Sequence, residues 1–265
     1  MEMRNYGLKI SEKKPDHYTL GGGMVPFKVL QLDKDWTPYL PIKEFQNLNG
    51  VEPYACVSFT ILTCIEILIK RKYGLDRNYS DRFLAYVSGT KDKQGNDPHE
   101  VCEFLRKIGV PPEHFWPFDS AVDTFEKYYE QPAPKLYELA QEFNEEWDFK
   151  HEWVPEVAEE ISRALTTSPL LISVPAWYED ENGLYYRPVM ASDNHATACV
   201  YERLDAFRRA FDTYDAPHIK DVRWDCTPMM IKRFWISKKV IHTFPSLWSR
   251  IWSIIKTLFN GKKSS

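Results

Sequence analysis

The segment that most narrows what this chain can fold into runs from Val57 to Lys72, VSFTILTCIEILIKRK, where Glu66 is the one charge before a basic end. A helix apolar on every face has to be surrounded by protein rather than laid on a surface. Lys70, Arg71 and Lys72 suit the negative end of its dipole, and Gly74 supplies a C-cap. A loop containing Gly50 and Pro53 precedes it, so the pattern predicts a buried central helix that starts at Cys56. With 265 residues, 43% of them hydrophobic, the chain is long enough to enclose such a helix in one large domain or two lobes.

The rest of the chain divides around that helix. Residues 1–40 are polar, are punctuated by Gly21, Gly22, Gly23 and several prolines, and read as an arm or leader. From 46 to 130 the pattern is mostly helical, with a short helix at Val101–Ile108 stopped by Gly109, Pro111 and Pro112. Residues 135–150 and 157–167 also read as helices, followed by strands at Leu170–Ala176, His195–Tyr201 and Arg208–Tyr214. The expectation is an α+β domain over 41–240, with a helical lobe at about 41–135 and a β-rich lobe at 136–240. At the end, Phe244–Phe259 carries Leu247, Ile251, Ile254, Ile255 and Leu258 at helical spacing, with Trp248 and Trp252 alongside. This amphipathic tail, residues 241–265, is too short and, with Arg250 and Lys256, too charged to span a membrane. It reads as a helix packed on its own domain, or as a docking helix for a partner or a membrane surface.

Composition excludes several classes. A net charge of −4 offers no positive field for nucleic acid. The five cysteines, at 56, 64, 102, 199 and 226, are odd in number and contain no CxxC pair, which argues against a disulfide framework or a zinc cage. The first residues lack the apolar run of a secretory signal, so a reducing compartment is expected, cytoplasmic or virion-associated.

Chemistry points to Cys56. A thiol at the positive end of a helix has its thiolate stabilised, and a nearby imidazolium would lower its pKa further. The competing reading is a small buried residue, which is what Cys64 in the body of the same helix, and Cys102, Cys199 and Cys226, are expected to be. Between His195 and Tyr201 the chain alternates, so His195, Thr197, Cys199 and Tyr201 share one strand face. A turn centred on Arg203 and Leu204 sets Asp212 opposite His195, with Cβ atoms roughly 5 Å apart, within reach of a carboxylate–imidazole hydrogen bond. A helix-start cysteine, a distant strand histidine and an acid placed to orient it together favour catalysis over three separate structural roles.

These segments resemble the papain-like cysteine peptidases. Cys56, Ser58 and Phe59 in ACVSFT look like the nucleophile segment; Asn194, His195 and Ala196 like the histidine segment; and Phe211–Tyr214, FDTY, like the segment that holds the family's asparagine. Ile108–Phe118 and Ala164–Ala176 resemble the connecting stretches, so the likeness covers about Gln46 to Trp235. It implies a two-lobe papain-like fold and a cysteine-type peptidase that acts on protein or peptide through a thioester and needs no cofactor or metal. The departures are Asp212 in place of asparagine, Tyr214 and Val57 in place of tryptophans, and no preceding cysteine. The oxyanion-hole glutamine resembles Gln46, ten residues before Cys56, across an insertion at Asn47–Pro53. The family's long inhibitory leader has no counterpart in residues 1–40. Tyr214 is expected near the cleft, with Trp177 or Tyr178 bordering substrate. Two other readings stand beside the peptidase: a cell-wall amidase using the same triad, and a catalytically impaired structural or adaptor protein on the same fold.

Overall fold

A computed structural model describes residues 7–90 and 92–239. The apolar segment forms α1, Cys56–Tyr73, in which every residue from Cys56 to Ile69 is buried. Gly74 ends it in the left-handed region at φ +67°, with its N–H on the Lys70 carbonyl. Five further helices follow: α2 Asp81–Val87, α3 Pro98–Ile108, α4 Phe125–Tyr128, α5 Pro134–Glu146 and α6 Ala158–Leu165. Ser80 caps α2 by accepting from the Phe83 N–H, and Asp97 caps α3 by accepting from those of His99 and Glu100.

Six strands make one antiparallel sheet: β1 Trp147–Trp153, β2 Leu170–Val174, β3 His195–Arg203, β4 Phe207–Phe211, β5 Ile219–Arg223 and β6 Ile231–Lys238. Their order is β1-β6-β2-β3-β4-β5. Helix α1 packs on β3, β6 and β2 on one side and on α2 and α3 on the other, which explains why it carries no polar face. The α+β architecture expected from the sequence is the one observed.

Three details differ. The helix expected over 135–150 stops at Glu146, and Trp147–Trp153 is strand β1, paired with β6. Trp147, Phe149, His151 and Trp153 alternate along one buried face, and this period-2 pattern prevails over the helical one. Strands β5 and β6 were not foreseen. In β6 the sequence signal is masked by Lys232 and Arg233, both buried; Arg233 is paired with Glu152 at 2.5 Å and with the Thr167 hydroxyl at 2.9 Å.

Residues 7–40 contain little regular structure, yet they are packed on the body. Trp36 is fully buried, with its indole N–H on the Leu165 carbonyl. No helix among the described residues is long and apolar enough to cross a membrane. The amphipathic tail expected at Phe244–Phe259 lies outside the described residues.

Candidate active site

Cys56 is the first residue of α1. Its N-cap, Ala55, offers no capping side chain to the first turn, and the Val57 N–H of that turn reaches the Cys56 thiol. The backbone of Ala196 hydrogen-bonds the Cys56 thiol. One turn along the helix, the Thr60 hydroxyl donates to the Ala196 carbonyl at 3.0 Å. Helix α1 therefore grips the residue next to His195 from two sides and sets the start of β3 against the helix N-terminus.

His195 opens β3, and its Nε2 lies 2.7 Å from Asp212 Oδ1. The hairpin achieves this in a different register from the expected one. Its loop is Leu204–Ala206, with Asp205 in the left-handed region at φ +58°, and a bulge between Cys199 and Tyr201 then sets Cys199 opposite Ala210 and Ala198 opposite Phe211. Continued, this pairing brings Thr197 rather than His195 opposite Asp212. The slip is two residues, and side chains alternate with period two, so His195 and Asp212 stay on one face and meet diagonally.

Four donors converge on Asp212. Oδ1 takes His195 Nε2 and the Tyr214 N–H at 3.3 Å; Oδ2 takes the Trp177 indole N–H at 2.9 Å and the Lys220 ammonium at 2.8 Å. The carboxylate is only 1% exposed. Burial works to raise it, but His195 and Lys220 prevail and hold it down to about 2. The imidazole is flanked edge-on by Trp177 at 5.8 Å and Tyr214 at 6.0 Å between ring centroids. Sequence reasoning missed Lys220, because the strand that bears it, IKDVR, was not recognised as one. His218 was also missed; its Nδ1 lies 2.8 Å from the Asp212 carbonyl.

Gln46 is completely buried, its N–H on the Thr213 carbonyl at 2.9 Å, while neither atom of its side-chain amide meets a hydrogen-bond partner among the described residues. Trp177, half-buried, engages Asp212 through its indole N–H. Tyr178 turns to Tyr186, with ring centroids 6.4 Å apart. Tyr214 packs on the imidazole, and its hydroxyl bonds Glu52, a residue of the insertion before α1. The Glu52 carboxyl is raised mainly by burial, against the pull of Tyr214, the Tyr54 N–H and His195. Cys64, Cys102, Cys199 and Cys226 are buried free thiols.

The centre is closed, with Cys56 and His195 both 0% exposed. Burial pushes the Cys56 thiol well up, the Ala196 backbone opposes this, and the negative charges of Glu52 and Asp212 add to it. In this arrangement desolvation outweighs the helix dipole and favours the neutral thiol. Part of the cover comes from the N-terminal segment. The Leu8 N–H reaches the carbonyl of Asn194, and Gly7 lies directly against the backbone of Tyr54.

No protein-family model matches the chain, and no curated protein matches it in sequence. Solved structures do match in fold. Xylellain, a cysteine protease from Xylella fastidiosa, superposes with a TM-score of 0.64 at 18% identity, over 90% of this chain and 97% of that one. The bromelain protease from Ananas comosus gives 0.55 at 15% identity, over 78% and 97%. Digestive procathepsin L 3 from the larval midgut of Tenebrio molitor gives 0.56 at 12% identity, over 88% and 74%. The chain thus has the papain-like fold.

Proposed function

We propose that this protein is a cysteine-type peptidase that hydrolyses peptide or isopeptide bonds through Cys56, His195 and Asp212. The observation that carries the reading is the 2.7 Å contact of His195 with Asp212 at the head of β3, held by Ala196 against the N-terminus of the helix that begins with Cys56. The Cys56 thiol passes its proton to His195 and, as thiolate, adds to the substrate carbonyl carbon, while the oxyanion is met by the Cys56 N–H and the Gln46 amide. Collapse expels the amine, which takes its proton from the His195 imidazolium, and leaves a thioester. Water, losing a proton to His195, then adds to the thioester carbonyl and releases the acid and the free Cys56. Asp212 holds the ring orientation throughout.

Mass spectrometry after exposure to a thiol-directed epoxide near neutral pH tests this. A single adduct on Cys56, absent from Cys56→Ala, is the expected result. The complete burial of Cys56 and His195 favours a second reading, a non-enzymatic adaptor on the same fold. Slow, equal alkylation of several cysteines in the native protein would select that reading and reject the peptidase.

A further inference from the structure

Asp212 meets His195 through one oxygen and a buried cation through the other. The cation, Lys220, is on β5, where it pairs across the sheet with Ala210 of β4 and is 2% exposed. Its ammonium donates to Asp212 Oδ2 at 2.8 Å, to the Pro217 carbonyl at 2.8 Å, and to the Asp215 carbonyl and Oδ1 at 3.0 Å each. Burial alone would lower the lysine, yet Asp212 and Asp215 hold it above its ordinary value, so it stays charged where it stands. The Trp177 ring lies 5.3 Å from the ammonium and donates to the same Oδ2, so the pair sits under an aromatic cover where charge is weakly screened.

We propose that Lys220 is a positioning residue that neutralises Asp212, so that the acid fixes the orientation of His195 without imposing a full negative charge on it. The two oxygens divide the work: Oδ1 supplies the hydrogen bond to the ring, and Oδ2 is committed to the lysine. A bare carboxylate 2.7 Å from an imidazole in a dry site would hold the ring as imidazolium and oppose the proton return that thioester hydrolysis requires. The other groups facing His195 are Glu52 from the loop before α1 and the ring edges of Trp177 and Tyr214. Of these, among the described residues, Glu52 is the one further carboxyl. Asp215, on the far side of Lys220, is 41% exposed and screened by water. The lysine is therefore the cation that balances Asp212.

The inference rests on the peptidase reading of His195, and its test reads the ring directly. Imidazole titration by NMR, with the His195 signal assigned by its loss in His195→Gln, is compared among the native chain, Lys220→Met, Asp212→Asn and the double variant. Removing the lysine should move the His195 midpoint up by roughly one pH unit, and removing the acid while the lysine remains should move it down by a similar amount. The double variant should return to within a few tenths of native. A midpoint that does not rise in Lys220→Met, or a double variant that fails to return, overturns the proposal. Where Lys220→Met does not fold, Asp212→Asn with and without the lysine still decides it, since equal midpoints in those two proteins would exclude any charge effect of Lys220. If no substrate is ever turned over, the peptidase reading fails while the titration still decides the role of Lys220. If the protein is active, the alkaline limb of kcat/KM should move with the ring.

Discussion

The backbone N–H of Gln46 donates to the Thr213 carbonyl at 2.9 Å, which fastens a residue of the loop before α1 one position beyond Asp212. The side chain beyond that anchor is fully buried, and neither its Nε2 nor its Oε1 has a hydrogen-bond partner among the described residues. A buried unpartnered polar group costs on the order of 1–3 kcal/mol, and folded proteins keep few of them. On the peptidase reading proposed above, this side chain is kept as a donor for the oxyanion.

Gln46→Leu should therefore move stability and activity in opposite directions. The apolar side chain of similar size removes the desolvation penalty, so the urea midpoint should rise by an amount equivalent to about 1 kcal/mol. Turnover should fall by about 10²-fold, the usual cost of losing one oxyanion donor. A variant that is less stable, or one that keeps full turnover, would remove Gln46 from the catalytic set.

Asp212 makes stability depend on acid pH in a defined window. Its folded value of about 2 lies below the ordinary 3.8, so the native state stabilises the carboxylate. That contribution, about 2 kcal/mol, is fully present above pH 3.8 and is lost as pH falls toward 2, because the unfolded chain takes up the proton first. Urea midpoints measured between pH 5 and 2 should fall with a slope that is reduced in the Asp212→Asn, Lys220→Met double variant. Parallel slopes in the two proteins would mean that the pair does not contribute in this range.

How much of this was legible in the sequence depended on whether a signal was local. The apolar run placed the start of α1 at Cys56, because an all-apolar helix has one kind of surrounding. The His195–Asp212 encounter survived a wrong register because a two-residue slip preserves strand faces; a slip of one would have turned Asp212 away. Lys220 was invisible because its meaning depends on a neighbouring strand's register and on a partner eight residues earlier in the chain. The closure of the site was equally hidden. A helix dipole lowers a thiol at an exposed helix end, whereas Cys56 is fully buried, and burial together with the charges of Glu52 and Asp212 acts in the opposite direction.

A second group of ionisable residues lies away from the centre and gives an independent prediction. His151 on β1 sits between Glu103 and Lys232, with Nε2 3.1 Å from the carboxylate and Nδ1 3.1 Å from the ammonium. Burial, aided by the Lys232 charge, lowers it to about 3, although Glu103 opposes the shift. The ring is neutral in the folded protein and takes up a proton on unfolding below its ordinary 6.5, so stability should fall as pH drops from 6.5 toward 3. His151→Gln should flatten that part of the profile of thermal midpoint against pH. A profile unchanged by the substitution would assign the loss to other groups.

Gly7 holds the N-terminal segment against the loop that leads into Cys56. Gly7 has φ +93°, in the region that side chains disfavour, and a Cβ there would collide with the Tyr54 carbonyl two residues before Cys56. The segment around it spans the two halves of the molecule: the Asn96 N–H donates to the Gly7 carbonyl, the Lys9 N–H to the Asn96 carbonyl, and the Leu8 N–H to Asn194 beside His195. Gly7→Ala cannot keep all three bonds, so the segment should detach while the core that encloses α1 stays intact. Amide exchange at Leu8 and Lys9 should accelerate, and alkylation of Cys56 should quicken by at least about tenfold, the equivalent of losing 1.4 kcal/mol of closure. If exchange accelerates but the alkylation rate of Cys56 keeps its native value, the cover lies with Glu52 and Tyr214 instead, and Glu52→Ala becomes the variant that should raise it.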